Sequence, residues 1–110
     1  VYDKNSILTL YLNTVSFGDN TYGIEAAAHR FYNVNTQNLS VEQGAVLIGM
    51  LKATSYYNPR IYPVRSKERR NVVLAQMKKY EKLTSTLADS LQTLPIKLNY
   101  NKITHHSGLA

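Results

Sequence analysis

The sequence centres on SVEQGAVLIGMLK, residues 40–52, and this stretch predicts a helix from its second residue to its last. Ser40 precedes Gln43 by three residues, which is the capping-box pattern that begins a helix. Beyond Gln43 the helix is apolar on every side, and a helix without a polar face is normally buried all round. Gly44 and Gly49 lower helix propensity, so we interpret both as points where another helix approaches closely. The pattern predicts the centre of the core.

Four further segments, on both sides of this stretch, have the apolar spacing of helices and are bounded by residues typical of turns. They cover residues 7–15, 24–31, 66–83 and 84–93. Asn33 is placed to end the second of them in a left-handed conformation. An apolar stripe of Val73, Met77 and Tyr80 is predicted for the long helix 66–83, and residues 94–100 alternate like an extended strand. The prediction is an all-α fold of about five helices with an extended tail. Four amphipathic helices can hardly cover a wholly apolar helix on every side. We therefore expect that part of the structure that surrounds this helix, its shell, is missing from the chain.

Composition excludes several kinds of protein. The 110 residues contain no Cys, which rules out disulfides, thiolate zinc sites and a Cys nucleophile. No apolar run approaches the roughly 20 residues that cross a bilayer. The net charge is +6 and is uneven: residues 1–55 have three basic and four acidic residues, and residues 56–110 have ten and three. This asymmetry favours an anionic partner such as nucleic acid, lipid headgroups or a phosphorylated substrate.

Few residues are spaced for chemistry. Lys52 ends the apolar helix, where it would either interact with the carbonyl end of the helix dipole or bind an anionic group in a cleft. Arg70 lies at the edge of the apolar stripe of helix 66–83, and either a structural hydrogen bond or a ligand contact fits it. The carboxylates are not paired for acid–base work. His105 and His106 are adjacent and lack a third ligand, so no metal site is predicted.

Several blocks resemble one family in order and spacing. Residues 7–18 are similar to an "ILxLYLNxVxFG" block, residues 22–28 to "YGIEAAA", and residues 39–53 to "LTxxEAAxLAGLLKA". Residues 55–59 and 69–74 match "SxYNP" and "RRNxVL". Together these blocks resemble the family-51 peptidoglycan glycosyltransferases, which are the transglycosylase domains of class A penicillin-binding proteins. The likeness covers about residues 4–77.

The resemblance implies a lysozyme-like helical domain of about twice this length, of which residues 1–93 are the C-terminal portion. Residues 94–110 would be an extended linker towards a transpeptidase domain. The two essential glutamates of the family would precede residue 1, so we expect no catalytic residue in this chain and no activity from it alone. The incomplete shell would be covered by the upstream half of the same domain. No cofactor is expected in this portion, and a divalent cation is left open for the full enzyme.

The implied reaction is polymerisation of lipid II into glycan strands with release of undecaprenyl pyrophosphate, at the outer face of the bacterial cytoplasmic membrane. The implied partners are lipid II, the nascent glycan strand and the membrane surface, without nucleic acid. By this resemblance Lys52 is a substrate-binding residue near the pyrophosphate, with Ser55, Tyr57 and Asn58 in the adjoining loop. Thr54 stands where the family often has Pro.

Other motif positions are implied to be architectural. They are Asn13, Gly18, Arg69 and Arg70. Two other interpretations of the chain's function remain open beside the resemblance. One is a small basic helical module that binds nucleic acid through helix 66–83 with strong salt dependence. The other is a protein–protein module whose apolar helix is covered by a dimer.

Overall fold

Five α-helices joined by loops make up the part of the chain that the structure, a computed structural model, describes: residues 4–101. The elements are α1 (Lys4–Thr14), α2 (Ile24–Tyr32), a 3-10 turn (Thr36–Asn38), α3 (Val41–Met50), α4 (Pro63–Lys79) and α5 (Ser85–Gln92). Between these residues, β pairing is limited to one bridge, from Ser16 to Tyr22. The predicted all-α class is confirmed.

α3 lies at the centre of the core, as predicted. Its capping box is formed, since the Gln43 amide donates to Ser40 Oγ at 3.4 Å and the Ser40 amide donates to Gln43 Oε1 at 2.9 Å. Leu47 is completely buried among apolar side chains from α2 and the loop before it. The prediction that α3 is buried on every side is wrong, however, because Ile48 is 42% exposed. No described element covers that face, which agrees with the expected gap in the shell.

The two glycines of α3 differ. A Cβ atom at Gly49 would lie 3.0 Å from Cγ of Arg69 on α4, so the predicted close approach of helices is confirmed there. A Cβ atom at Gly44 would meet nothing within 4 Å. The same prediction is therefore wrong for Gly44, which lies where α3 has no close neighbour in the described chain.

α4 is shifted towards the N-terminus relative to its predicted bounds. It begins at Pro63, where the fixed φ of proline suits the first turn and the missing N–H costs no helical bond. It ends at Lys79 because Glu81 turns into the left-handed region at φ 62°. A single sequence gives little sign of such a terminator, since Glu rarely adopts that conformation.

The buried face of α4 also differs from the predicted stripe. Ser66, Arg70 and Leu74, spaced by one helical turn each, are the buried residues. Tyr80 is 62% exposed, so the stripe that included it is wrong. The hydrophobic pattern misleads here because a charged residue, Arg70, occupies the centre of the buried row and is hydrogen-bonded there.

The tail over residues 94–101 is extended without strand pairing. Ile96, Leu98 and Tyr100 pack against the core, which follows the alternation seen in the sequence. The Asn99 amide donates to the carbonyl oxygen of residue 31 at 3.1 Å, and the amide of residue 101 donates to that of residue 30 at 2.7 Å. The division at residue 94 stays a prediction, and His105 and His106 lie outside the described residues.

α1 differs from the other helices because none of its residues is buried. Its large apolar side chains at residues 7, 8, 10 and 11 are 49–62% exposed. Among the described helices none is both long enough and apolar enough to span a membrane. The apolar surface of α1 is therefore a face without a partner in the described chain.

Candidate functional site

The loop that follows α3 contains all four predicted substrate-binding residues. The Lys52 amide donates to the Gly49 carbonyl at 3.4 Å, so the chain leaves the helix in a turn. The side chains of Lys52 and Ser55 are exposed. Tyr57 is half-buried, and its ring meets Tyr56 edge-on with centroids 5.0 Å apart. The loop thus presents a cation and a hydroxyl at the surface beside an aromatic pair.

Asn58 lies inside this loop and not on its surface. Its side chain is buried, at 2% exposure, and Nδ2 donates to Asp19 Oδ1 at 3.0 Å while Oδ1 accepts the Arg60 amide at 2.9 Å. The Asn58 carbonyl also accepts the amides of Ile61 and Tyr62. With both ends of its amide engaged, Asn58 holds the turn together.

Asp19 is the hub of a polar cluster that fastens three separate segments. It lies in the loop between α1 and α2 with φ 50°. Arg60 binds it in a bidentate manner, with Nε and an Nη both 3.0 Å from carboxylate oxygens. The Tyr100 hydroxyl donates to Oδ2 at 2.9 Å. The α1–α2 loop, the loop after α3 and the tail are therefore joined at one carboxylate.

The electrostatics of this cluster follow from its hydrogen bonds. The Arg60 guanidinium holds the pKa of Asp19 below its usual value, against an opposing contribution from burial, and the bonds from Tyr100 and Asn58 lower it further. Burial and the bond to Asp19 raise the pKa of Tyr100. The Asp19 carboxylate raises the pKa of Arg60 in turn. A carboxylate that accepts four hydrogen bonds is a weak base, so the cluster is structural and not an acid–base pair.

Two of the predicted architectural residues, Gly18 and Asn13, lie at close contacts between segments. Gly18 has φ +80°, and a Cβ atom there would lie 3.4 Å from Cβ of Thr54, so the α1–α2 loop packs on the loop after α3. Asn13 has an exposed side chain on α1. Its carbonyl group lies directly against Gly23, where any Cβ atom would clash. Asn13 thus contributes to packing through its backbone.

Arg70 joins α4, α5 and the start of the tail. It is 1% exposed, and one Nη donates to the carbonyl oxygens of Gln92 at 3.2 Å and Leu94 at 2.7 Å. Nε and the same Nη also donate to Asn71 Oδ1. The sequence left open either a structural hydrogen bond or a ligand contact for Arg70, and the bonds that the structure shows are structural. Arg69 packs its side-chain stem on Gly49.

A hollow of about 200 Å³ lies beside Arg70, between α3 and the tail. Tyr32 and Glu42 contribute polar side chains to its wall, and Val46 and residues 94–97 contribute most of the remainder. Burial raises the pKa of Tyr32. None of the four predicted substrate-binding residues lines this hollow, so the structure separates it from the Lys52 loop.

Sequence reasoning missed the cluster of Asp19, Arg60 and Tyr100. Arg60 and Tyr100 lie 41 and 81 positions from Asp19 along the chain, and no local spacing rule connects residues so far apart. The one available signal was the run of turn-forming residues around Asp19, which indicates a loop and not its partners. Within residues 4–101 no group of three or more His, Asp or Glu residues is placed to hold a metal ion.

Comparisons with known proteins agree with these features. The profile of a family described as Transglycosylase matches residues 1–78. Penicillin-binding protein 1F of Bacillus subtilis (strain 168) is 37% identical, over 92% of this chain and 14% of its own length. Penicillin-binding protein 1A of Streptococcus pneumoniae is 39% identical, over 88% of this chain and 15% of its own length.

Solved structures agree as well. The crystal structure of penicillin-binding protein 1A from Haemophilus influenzae superposes with a TM-score of 0.85 at 35% identity, covering 93% of this chain and 15% of that one. The chain thus spans about one-seventh of the length of the relatives it matches. Because the family profile covers most of the chain and the fold is shared at this level of identity, the chain belongs to the transglycosylase family.

Proposed function

We propose that the chain forms part of a peptidoglycan glycosyltransferase that polymerises lipid II. Membership of the transglycosylase family and the similarity to penicillin-binding proteins support this proposal. The chain spans about one-seventh of those relatives, so the activity is assigned to the whole protein. By the same similarity, the whole protein also has a transpeptidase domain and acts at the outer face of the bacterial cytoplasmic membrane.

The observation that carries the proposal is the position of Lys52. It is an exposed cation immediately after the most buried helix, in a loop fixed by the Asn58 and Asp19 hydrogen bonds. In the reaction, the 4-hydroxyl oxygen of the acceptor sugar bonds to C1 of the donor and the C1–oxygen bond to undecaprenyl pyrophosphate breaks with inversion. A fixed cation stabilises the negative charge that develops on the leaving pyrophosphate.

The other loop residues have different proposed roles. Ser55 is exposed next to the Tyr56–Tyr57 pair, so Ser55 and Tyr57 are the groups that would line the substrate cleft beside Lys52. Asn58 is buried and engaged on both ends of its amide, so its contribution is to hold the loop shape. The general base that takes the hydroxyl proton is assigned to a glutamate in the upstream half of the domain, which would pack on the uncovered face of α1.

A polymerisation assay on lipid II tests this function. We expect glycan strands from the full-length protein and no turnover from residues 1–110 alone. Turnover by the isolated chain would refute the assignment of the base to the upstream half. Absence of turnover by the full-length protein, together with tight and strongly salt-dependent binding of duplex DNA, would favour the nucleic-acid module instead. No comparison supports that alternative.

A further inference from the structure

The hollow beside Arg70 is lined by two buried side chains whose hydrogen-bonding capacity the described chain does not use up. Tyr32 is 4% exposed, and its hydroxyl forms no hydrogen bond with any residue from 4 to 101. Arg70 is 1% exposed, and its hydrogen bonds within those residues use Nε and one Nη, which leaves the second Nη without a bond. Both donors are therefore available to a ligand in the hollow.

Charged side chains of both signs complete the wall. Glu42, in the first turn of α3, and Lys97, on the tail, also line the hollow, and neither forms an ion pair within the described residues. Burial raises the pKa of Tyr32, the Arg70 charge lowers it and the Glu42 charge raises it, so both charges act at this hydroxyl. Tyr32 keeps its proton at neutral pH. The hollow thus offers donors from Tyr32 and Arg70 and an acceptor from Glu42, which is the complement of a peptide group.

The main chain of the tail forms a further side of the hollow. Residues 95–97 line it in an extended conformation. The amides of Ile96 and Lys97 and the carbonyl oxygens of residues 95–97 form no hydrogen bond within the described chain, whereas the Asn99 amide is bonded to residue 31. An extended segment with unpaired main-chain groups binds a second extended peptide by strand addition, and an adjoining pocket selects one side chain.

The size and charge of the hollow limit what fits. Its volume of about 200 Å³ is smaller than the roughly 300–1,000 Å³ of sites that enclose a whole small-molecule ligand. Val46, Leu94 and Ile96 give it apolar walls, so one aliphatic side chain is a suitable occupant. Lys97 has an exposed side chain at the edge and suits a carboxylate. These features match an acidic peptide with an aliphatic anchor.

We propose that the hollow is a docking site for an extended acidic peptide of a partner protein. The peptide pairs its main chain with residues 95–97 and inserts one aliphatic side chain. One of its carbonyl oxygens accepts from Tyr32 and Arg70, and its carboxylate meets Lys97. Because Arg70 also fastens the start of the tail to α4 and α5, the peptide binds at the joint between the helices and the tail. The proposal goes beyond the proposed function, since it uses no residue of the loop that contains Lys52.

Peptide binding by the full-length protein, measured by fluorescence anisotropy, tests this proposal. The probe is a fluorescein-labelled peptide of seven residues, capped at both ends, in which a glutamate follows a leucine by two positions and every other residue is threonine. Side chains two positions apart share one face of an extended chain, so the leucine and the glutamate reach the hollow and its edge together.

Two matched peptides test the binding mode. One has alanine in place of the leucine, and the other has N-methyl groups on the leucine and on the residue after it. The two methyl groups block main-chain pairing on both edges of the peptide, because successive amides point to opposite edges. We expect the probe to bind with a Kd below about 1 mM and both matched peptides to bind about fivefold more weakly or worse.

Two substitutions test the location. Lys97→Glu reverses an exposed charge and should weaken binding of the probe about fivefold or more. Tyr32→Phe removes one hydroxyl and should weaken it about threefold to tenfold. The matched controls are Lys82→Glu, at an exposed lysine outside the hollow, and Tyr22→Phe, at an exposed tyrosine between α1 and α2. Both controls should bind within twofold of the unchanged protein.

The other outcomes overturn the proposal. No binding of the probe at about 1 mM would refute the site. Equal weakening by Lys97→Glu and Lys82→Glu would mean that overall charge attracts the peptide. An effect of Lys97→Glu without one of Tyr32→Phe would place the peptide on the surface and not in the hollow. Full binding of the N-methylated peptide would exclude pairing with the tail.

Discussion

Replacing Arg70 by Met tests the joint between α4, α5 and the tail. The change removes two hydrogen bonds to Oδ1 of the adjacent Asn71 on the same helix, and two to the carbonyl oxygens of Gln92 and Leu94 that join the segments. Each bond of the second pair comes from a charged donor and contributes about 1.5–3 kcal/mol. The Gln92 carbonyl keeps a second donor, Asn71 Nδ2 at 3.1 Å, and the Met side chain restores some packing. The expected loss in the free energy of unfolding is therefore about 3 kcal/mol, a large part of the roughly 5–15 kcal/mol typical of a domain.

Urea unfolding followed by far-UV circular dichroism measures this loss. Lys78→Met is the control, because Lys78 lies on the same helix and forms an exposed ion pair with Asp89 at 3.3 Å. Exposed pairs contribute about 0–1 kcal/mol. Arg70→Lys should lie between the two, since it keeps the charge and loses the planar fork. A loss at Arg70→Met within about 1 kcal/mol of the Lys78→Met control would refute the structural role of the buried guanidinium.

Four further changes probe the loop cluster and α3. Because the pKa of Asp19 is lowered in the folded state, its contribution to stability is present above its ordinary pKa of 3.8 and is lost as pH falls below that value. Asp19→Asn should therefore have a lower free energy of unfolding than the unchanged chain at neutral pH. The difference between the two chains should shrink when unfolding is measured at successively lower pH, and a constant difference would contradict this prediction. Gly44→Ala should stabilise by about 0.5–1 kcal/mol and Gly49→Ala should destabilise, measured as opposite shifts in Tm. Ser40→Ala should cost about 1 kcal/mol in the same melt, and an unchanged Tm would argue against the capping box.

The elements that the sequence predicted well are those specified by local rules. Capping by Ser40 and Gln43 defined the start of α3, and Asn33 ends α2 in the left-handed region at φ 56° as expected. Alternation along residues 94–100 predicted an extended conformation, and the tail is extended there. In each case the information lies within a few neighbouring residues, so a single sequence is enough.

The features that the sequence did not predict depend on contacts between distant segments. The apolar stripe of α4 was misplaced because periodicity treats Arg70 as a surface residue, whereas three carbonyl and amide oxygens satisfy its guanidinium inside the protein. Asn58 was expected to bind substrate, and its burial against Asp19 is visible only once two loops meet. The substrate roles of Lys52 and its neighbours came from the family resemblance and stay predictions.

The rate of lipid II polymerisation by full-length protein carrying Lys52→Ala tests the central claim most directly. Lys79→Ala, an exposed lysine at the far end of α4, is the matched control, and Lys52→Arg keeps the charge. If the loop after α3 presents a cation to the leaving pyrophosphate, Lys52→Ala should lower kcat about 100-fold with unchanged Tm, and Lys52→Arg should retain part of the activity. A kcat for Lys52→Ala within twofold of the control would contradict the account and leave Lys52 as a helix-terminal cation.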